Sequence, residues 1–376
     1  PPPVDSLRLQ PSLGLPKMTT ADKGCWPPQG REGRRVVGAQ HVGRMTVTKN
    51  VDLNLYRNNL QLISQLVSPA RVMAVVKADA YGHGLIPVAK AAVEAGIDFL
   101  GVLDIETGLK LRTAGVSANC FAWLHSPQSD FAKAVFAGIE LSAGSLVELR
   151  AIAAAPGRAQ VHLKLDSGLS RNGCRIENWA EFVSLAIELE NRGEINVVAI
   201  WTHLSGTSQS ADQEALQVFD TATETARELG FKGYRHAASS PAAFAIPQSR
   251  FDLVRIGVSA FGTSPIEGVK ASELGLAIPM AVTADVLAPK VISIGFLHGY
   301  FSQLAERAKV EIEGKLYKVL KVGPLATEIE SGDYEPGDLV TVFGDENSVA
   351  PTAEELCELV GTVTDELFTG LKANLT

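Results

Sequence analysis

A single lysine ends an apolar run in the stretch AVVKADAYGHG, residues 74–84. Residues 72–76 have the pattern of a buried strand, and Lys77 follows where the chain breaks into a loop that carries Tyr81 and two glycines. An amine held away from water at such a position is neutral more readily, which suits it to form a Schiff base with an aldehyde. The stretch therefore predicts a lysine that carries covalent chemistry.

Other polar residues stand where further predicted strands end. They are Lys164 and Arg171 in HLKLDSGLSRNG, His203 in WTHLSG, Ser240 in HAASS, and Arg255, Gly257 and Val258 in LVRIGVSAFG. Taken singly, each has an ordinary structural interpretation: a solvated lysine, a hydrogen-bonded histidine, paired arginines and serines in turns. Taken together, they indicate one site that joins cations, hydroxyl groups and glycines.

Two parts of this set suit the two ends of one cofactor. Lys77 can react with an aldehyde, while the hydroxyls of Tyr81 and Ser240, with backbone N–H groups near Ser240 and Gly257, can hold a phosphate dianion. A cradle of this kind needs no phosphate-binding lysine of the Walker type. The residues therefore predict pyridoxal 5'-phosphate as the cofactor.

The sequence around these residues alternates between segments with the apolar spacing of a strand and segments with that of a helix. From about residue 54 to residue 262, roughly eight short strand-like runs are each followed by an amphipathic helical segment. Parallel strands need crossover helices, and a (β/α)8 barrel gathers its functional residues at the carboxyl ends of its strands. An open, doubly wound sheet is the structural alternative, although the chain has no GxGxxG or GxxxxGK[ST] loop to support a nucleotide-binding version of it.

The pattern changes after residue 275. Segments such as AKVEIEGKLYKVLKVG alternate in polarity, are rich in β-branched residues and are separated by turn residues, which predicts a smaller, mostly antiparallel β domain. The predicted organisation is a disordered extension over 1–44, a cofactor-binding barrel over 45–265 with a lead-in strand at 45–53, and a C-terminal β domain over 266–376.

Composition narrows the possible partners. The chain has 376 residues, 46% of them hydrophobic, and a formal net charge of −8, which favours a small-molecule ligand over nucleic acid. Four cysteines lack CxxC or CxxH spacing, so neither a metal site nor a disulfide framework is expected, and a cytoplasmic location fits. No apolar stretch reaches the ~18 residues of a membrane span.

From about residue 45 to its end, the chain resembles the alanine racemases, which are two-domain, fold-type III pyridoxal-phosphate enzymes. AVVKADAYGHG is the most specific matching motif. The resemblance implies that Lys77 holds the cofactor as an internal aldimine and that Tyr81 contacts its phosphate. It also implies a homodimer with sites at the subunit interface, and a role in supplying D-alanine for peptidoglycan.

The other strand-end residues take roles from the same resemblance. Arg171 would approach the substrate carboxylate, with Lys164 bracing it, a position often carbamylated in the family. His203 would pack on the cofactor ring, Ser240 and the Gly257/Val258 backbone would hold the phosphate, and Arg255 would face the pyridine nitrogen. A permanent cation there disfavours ring protonation, and the weaker electron sink suits proton exchange at Cα better than decarboxylation or transamination.

Racemisation needs a base on each face of Cα. The second base is the part of the family's site that this sequence matches least well. In the family it is a tyrosine from the partner subunit, within a stretch like GxGVSYGxTY. The ungapped alignment of IGFLHGYFSQLAERAKVEIEGK, residues 294–315, predicts that about two dozen residues are missing between Ser293 and Ile294, including that tyrosine. An alternative alignment makes Tyr300 in GFLHGY the catalytic base; otherwise it is a loop aromatic at a subunit interface.

Three further departures lie on the same side of the expected site. LKVGPLATE stands where the family has GRVCMDQ, Asp365 stands at a phosphate-contacting tyrosine, and His298 replaces an aspartate. Two hypotheses follow: an alanine racemase whose activity is impaired, or a pyridoxal-phosphate-binding homologue without efficient turnover, with a carrier or regulatory role. A fold-type III decarboxylase is disfavoured by Arg255.

Overall fold

The computed structural model of the protein describes residues 46–344 and 348–373. The predicted N-terminal extension over 1–44 lies outside these described residues. The first element, strand β1 (Val47–Val51), corresponds to the predicted lead-in strand. It pairs antiparallel with a strand of the C-terminal domain, with Val47 opposite Ala284 and Val51 opposite Met280. This segment therefore belongs to the second sheet and leads from there into the barrel.

Between residues 53 and 262, a parallel sheet of eight strands forms a nearly closed barrel, which confirms the predicted fold class and excludes the open, doubly wound sheet. Around the barrel the order is β10-β2-β3-β4-β5-β6-β8-β9, and a two-residue strand, β7, pairs with β6. The strands are β2 (Arg71–Val75), β3 (Phe99–Val102), β4 (Asn119–Ala122), β5 (Ile139–Ala143), β6 (Ala159–Asp166), β7 (Cys174–Arg175), β8 (Ile195–Trp201), β9 (Tyr234–His236) and β10 (Leu253–Ile256).

The remaining gap lies between β9 and β10. Backbone hydrogen bonds bridge it at both ends, from Asp252 N to the Arg235 carbonyl at 3.2 Å and from Arg255 N to the Ala238 carbonyl at 2.9 Å. These bonds hold β10 beside β9, so the carboxyl ends of all the barrel strands face one mouth.

Helices connect the barrel strands and, apart from the short left-handed turn α2, cover their outer face. They are α1 (Leu53–Val67), α2 (Lys77–Tyr81), α3 (Leu85–Glu94), α4 (Ile105–Thr113), α5 (Phe131–Phe136), α6 (Leu146–Ala153), α7 (Trp179–Asn191), α8 (Gln209–Glu228) and α9 (Ser240–Ala245). Short polar side chains begin several of them: those of Asp52, Asp104, Ser145 and Ser208 accept hydrogen bonds from first-turn N–H groups. The 3.6-residue apolar spacing of α1 buries Tyr56, Leu60 and Ile63 against the barrel.

The interior of the barrel is unusually aromatic. Met73, Phe99, Phe121, Trp201 and Leu253 form a separate buried cluster inside the ring of strands. Aliphatic side chains on the outward faces of the same strands pack instead against the helices. Because side chains alternate along each strand, polar residues between the inward aromatic ones also point into the barrel.

The C-terminal domain is an antiparallel sheet, as predicted, and it also contains two short helices that were not predicted. Its strands are β11 (Met280–Ala288), β12 (Val291–Ile292), β13 (Lys309–Ile312), β14 (Lys315–Val322), β15 (Thr327–Ile329) and β16 (Leu339–Phe343), and its helices are α10 (Ala353–Val360) and α11 (Thr364–Gly370). β16 pairs with both β13 and β11, which curls the sheet around a second apolar core. None of the helices among the described residues is both long and apolar enough to cross a membrane.

The two domains meet at the loop that follows Lys77. Gly82 has a φ of +76° and lies directly against the backbone of α11, so a Cβ at this position would overlap the carbonyl oxygen of Phe368. The next residue, His83, packs its ring on Phe261 of the barrel and edge-on against Phe368. The C-terminal domain thus fixes the loop that leaves the lysine-bearing strand.

We expect Gly82→Ala to lower the free energy of unfolding more than Gly115→Ala, although φ at Gly115 is nearly the same at +78°. Both substitutions place a Cβ in the left-handed region, at a cost of about 1–2 kcal/mol. Only the alanine at position 82 also meets backbone, which adds roughly 1–3 kcal/mol. Urea unfolding midpoints would measure the difference, and equal midpoints for the two variants would contradict the close domain contact.

Candidate active site

Lys77 begins a turn of left-handed backbone at the carboxyl end of β2. Ala78, Asp79, Ala80 and Tyr81 all have φ between 50° and 54°, a conformation that costs L-residues about 1–2 kcal/mol each. The turn folds Tyr81 back beneath the lysine, so that the Lys77 Nζ lies 5.4 Å from the centre of the Tyr81 ring. The two residues predicted to hold opposite ends of the cofactor are therefore neighbours.

The Tyr81 hydroxyl lies against the backbone of Gly257. A Cβ at Gly257 would overlap the hydroxyl oxygen, so only glycine leaves room for it. The Gly257 N–H donates to Ser240 Oγ at 3.2 Å, which brings a second hydroxyl to the same place, and Val258 follows directly in the chain. Burial raises the pKa of the Tyr81 hydroxyl, so this group stays protonated and is a hydrogen-bond donor.

These donors make a suitable cradle for an anion. Two hydroxyl groups and a glycine backbone converge where any larger residue at position 257 would fill the space. Such an arrangement can donate several hydrogen bonds to oxygens of one phosphate group. The predicted phosphate-binding residues are thus brought together, and the chemistry of the cradle fits pyridoxal phosphate.

Arg255, on β10, is a buried cation at the centre of the site. Its Nη2 donates to the carbonyls of Thr202 and Ala237 at 2.8 and 2.7 Å, and lies 3.1 Å from His203 Nδ1. Its Nη1 lies 3.0 Å from His236 Nδ1. Burial, assisted by Arg171, lowers the pKa of Arg255 to about 9. A guanidinium is held in one orientation by these acceptors, and its remaining N–H groups are available to a ligand.

His203 is a neutral ring surrounded by cations. Burial and the charges of Arg255, Arg171, Lys164 and Lys77, in that order, lower its pKa to about 3. His203 Nδ1 lies 3.1 Å from Arg255 Nη2, which donates to two carbonyl groups at shorter distances. All four predicted cationic residues therefore converge on one histidine, which creates a strongly positive site suited to anions.

Lys164 lies deeper in the barrel than Arg171. Its Nζ donates to Asn172 Oδ1 and lies 4.2 Å from the centre of the Trp201 indole ring. Burial, with the charges of Arg255 and Arg171, lowers the pKa of Lys164 to about 7. Arg171 lies in the exposed loop after β6, at the mouth of the barrel, where an incoming carboxylate would meet it first.

Tyr300 is not part of this group. It is 1% exposed, lies in the apolar core of the C-terminal domain, and its hydroxyl has no hydrogen-bond partner among the described residues. Because the hydroxyl is buried in this core, the predicted role of Tyr300 as a base draws no support from its position. Ser293 and Ile294, between which the family segment is expected, are consecutive buried residues just after β12.

The structure adds residues that were not predicted as part of the site. Trp201 supports both Lys164 and Arg255, and His236 contacts Arg255 directly. The pattern WTH at the end of β8 could have indicated the tryptophan, because a residue two positions before a strand-end histidine points to the same side. Asp365, noted in the sequence at the position of a phosphate-contacting tyrosine, interacts with the charge of Lys77. Burial raises the pKa of Asp365, whereas the charge of Lys77 lowers it.

No set of three or more His, Cys, Asp or Glu side chains in residues 46–344 and 348–373 is arranged to hold a metal ion. The arrangement instead offers an amine, a cradle of hydroxyl and backbone donors, and a buried guanidinium. These groups can bind an aldehyde-bearing phosphate ester and the carboxylate of an amino acid, and can move a proton at a carbon held beside Lys77.

Comparisons with known proteins agree with this chemistry. The family described as alanine racemase, N-terminal domain, matches residues 51–265, and alanine racemase, C-terminal domain, matches residues 282–376. The alanine racemase of Salinispora tropica is 33% identical over 353 residues, which cover 85% of this chain and 94% of that protein. That of Mycolicibacterium smegmatis is 33% identical over 366 residues, or 87% of this chain and 92% of the relative.

Solved structures give the same result. The alanine racemase from D-cycloserine-producing Streptomyces lavendulae superposes with a TM-score of 0.82 at 27% identity, covering 88% of this chain and 96% of the other. The alanine racemase from Corynebacterium glutamicum gives a TM-score of 0.80 at 27% identity, with 88% and 98% covered.

The lowered pKa of Lys164 generates a stability prediction for the cofactor-free protein. The folded state loses this proton near pH 7 but the unfolded state only near 10.5, so the unfolded chain binds more protons in between. The contribution of Lys164 to the stability of the unsubstituted protein should therefore rise with pH there, by up to about 1.4 kcal/mol per pH unit. We expect Lys164→Met to be relatively most stable at pH 6 and to lose its advantage by pH 9.

Urea unfolding of both proteins across this pH range would measure the effect. Lys110→Met, at an exposed position on α4, is the matched control and should differ from the unsubstituted protein by a constant amount. A pH-independent difference for Lys164→Met would mean that the Lys164 amine keeps its ordinary affinity for protons.

Proposed function

The chain belongs to the alanine racemase family, a family of amino-acid isomerases, and we propose from its site that it interconverts L- and D-alanine with pyridoxal 5'-phosphate. The observation that carries the proposal is the convergence of Lys77, the cradle at Tyr81, Ser240 and Gly257, and the buried Arg255 at one barrel mouth. These groups match the aldehyde, the phosphate and the ring nitrogen of a single cofactor.

The cofactor would be held by residues of the barrel alone. Lys77 would bind its aldehyde carbon, and Tyr81, Ser240 and the Gly257/Val258 backbone would bind its phosphate. His203 would pack beside the ring, and Arg255 would donate a hydrogen bond to the ring nitrogen. When bound, pyridoxal phosphate supplies an electron sink that makes the Cα proton of an amino acid acidic.

The protein's own residues then orient the substrate and move the proton. Arg171, at the mouth, pairs with the amino-acid carboxylate, and Lys164 supports that loop through Asn172. The Lys77 amine removes the proton from Cα and returns it on the face from which the lysine approaches. Arg255, as a permanent cation, disfavours a proton on the ring nitrogen and so limits the reaction to proton exchange.

The opposite face of Cα has no base that we can assign. The ungapped alignment predicts that the tyrosine segment is missing between Ser293 and Ile294, and Tyr300 is enclosed in the core of the C-terminal domain. We therefore propose that proton exchange proceeds on one face and that inversion is slow. The second candidate, a pyridoxal-phosphate-binding protein without racemase turnover, is favoured by the same enclosure of Tyr300.

We further propose a cytoplasmic homodimer whose D-alanine product enters peptidoglycan. Exposed apolar side chains at Phe296 and Leu297, immediately before the buried His298, offer a surface that a second copy can cover. The location and the use of the product rest on the family resemblance.

Exchange of the Cα proton in D2O tests the proposed reaction. With pyridoxal phosphate and L-alanine or D-alanine in parallel samples, proton NMR measures the loss of the Cα signal, while chiral chromatography measures formation of the other enantiomer. Because a positioned acid or base contributes about 10²- to 10⁴-fold, we expect exchange within the enantiomer whose Cα proton faces Lys77 to exceed inversion by about 100-fold. Lys77→Met should abolish both.

Each of the other outcomes has a definite meaning. Equal rates of exchange and inversion would show that a second base exists and would refute the one-sided site. If the unsubstituted protein exchanges no proton, the racemase proposal fails and the binding protein remains.

Tyr300→Phe tests the alternative base. Since the hydroxyl is buried without a partner, we expect its removal to leave Cα exchange within about twofold and to keep or raise stability, because an unsatisfied buried hydroxyl costs about 1–3 kcal/mol. Tyr81→Phe is the matched control and should weaken cofactor binding. A tenfold or greater loss of inversion in Tyr300→Phe, with Cα exchange retained, would restore Tyr300 as the second base.

A further inference from the structure

A chain of hydrogen-bonded side chains runs through the interior of the barrel from Arg255 to the opposite end. His236 Nδ1 lies 3.0 Å from Arg255 Nη1, and His236 Nε2 lies 2.9 Å from His162 Nδ1. The second nitrogen of His162, Nε2, lies 2.6 Å from Oε2 of Glu140. Glu140 is near the start of β5, so the chain connects the active-site mouth with the other end of the barrel.

Elementary chemistry allows only one arrangement of protons in this chain. A guanidinium has no acceptor, so His236 Nδ1 must accept from Arg255. The proton of a neutral His236 is then on Nε2 and is donated to His162 Nδ1. His162 consequently carries its own proton on Nε2 and donates it to the Glu140 carboxylate, so every bond points from Arg255 towards Glu140.

The surroundings favour neutral imidazoles. His162 and His236 are both fully buried, and the ring of Phe121 stacks on His162 with 4.0 Å between centres. Trp201 stacks on His236 at 5.6 Å and 5°. Burial lowers the pKa of both histidines, most strongly that of His236. The aromatic rings therefore exclude water. The formal charges of the hydrogen-bonded series lie at its two ends, on Arg255 and Glu140.

The hydrogen-bonded series also bears on how the buried charge of Arg255 is compensated. Arg255 is 5% exposed, yet none of the described residues places a carboxylate in direct contact with it. A buried charge without compensation is strongly destabilising. Glu140 is the acidic group to which Arg255 is linked through continuous hydrogen bonds, and hydrogen-bonded chains in a medium of low dielectric polarise one another.

We propose that Glu140 is a positioning residue for Arg255, acting through His162 and His236 to supply its counter-charge and to fix the orientation of its guanidinium towards the ligand. This inference rests on the proposed function for what Arg255 binds, whereas the chain itself is a property of the cofactor-free protein. Glu140 touches neither cofactor nor substrate in this scheme, and its influence reaches the site only through the two imidazoles.

The first test uses the unsubstituted, cofactor-free protein labelled with ¹⁵N-histidine. Long-range proton–nitrogen NMR distinguishes Nδ1–H, Nε2–H and doubly protonated rings, and His162→Gln and His236→Gln assign the two signals. We expect both rings to be neutral and protonated on Nε2 between pH 5 and pH 8, as the bond directions require. A proton on Nδ1 of either ring, or a doubly protonated ring, would overturn the proposal.

The second test measures cofactor affinity, which does not depend on turnover. Glu140→Gln keeps an oxygen acceptor for His162 but removes the charge. We expect it to weaken binding of pyridoxal phosphate about tenfold, the low end of the roughly 10- to 100-fold that hydrogen-bond partners of metal-binding histidines contribute to metal affinity. Tyr234→Phe is the matched control: the Tyr234 hydroxyl also contacts Glu140, but at 3.4 Å, so affinity should stay within about twofold.

The outcomes separate charge from packing. Unchanged affinity in Glu140→Gln, or an equal loss in Tyr234→Phe, would refute the role of the charge. If Glu140→Gln does not fold, the protonation pattern in the unsubstituted protein still decides the question. If the protein binds pyridoxal phosphate but exchanges no Cα proton, the proposed function fails while both of these tests remain valid.

Discussion

The left-handed turn after β2 is the constraint on which the site depends. Four successive residues without a glycine among them, Ala78 to Tyr81, occupy a backbone conformation that L-residues avoid. The C-terminal sheet and α11 hold the end of this turn: the Lys49 amine of β1 donates to the Gly82 carbonyl at 2.8 Å, and α11 packs on Gly82. The strain brings Tyr81 back beneath Lys77. The second domain thus shapes the site without donating its reactive amine.

The same site is organised around positive charge held at the mouth of the barrel. Four cations lower the pKa of His203 together with burial, and such a concentration of charge repels itself unless anions bind there. Aromatic and imidazole side chains inside the barrel offset part of this repulsion, because the Trp201 ring lies beneath the cations of Lys164 and Arg255. A cofactor phosphate and a substrate carboxylate would supply the missing negative charge. Binding of these anions would therefore reduce the repulsion among the four cations.

The alternation of strand and helix was sufficient to predict the barrel, and the rule that barrels act at strand ends selected Lys77, His203 and Arg255, which the structure brings near one another. The left-handed turn could not be predicted, because Ala-Asp-Ala-Tyr has no local preference for it and the stabilising contacts come from residues far along the chain. Glu140 and His162 were also missed: each is an ordinary polar residue in an alternating strand, and only the closed barrel joins them. For Tyr300, the spacing of the sequence could suggest a base but could not reveal that the side chain is buried.

The proposal that Lys77 binds the cofactor aldehyde is tested most directly by identifying the lysine that reacts. The protein is incubated with pyridoxal phosphate, treated with borohydride to make the lysine–aldehyde bond permanent, digested and analysed by mass spectrometry. We expect the added mass on the peptide that contains Lys77, and no added mass when phosphate is present in large excess during loading. A label on Lys164 or any other lysine, or no label at all, would contradict this proposal.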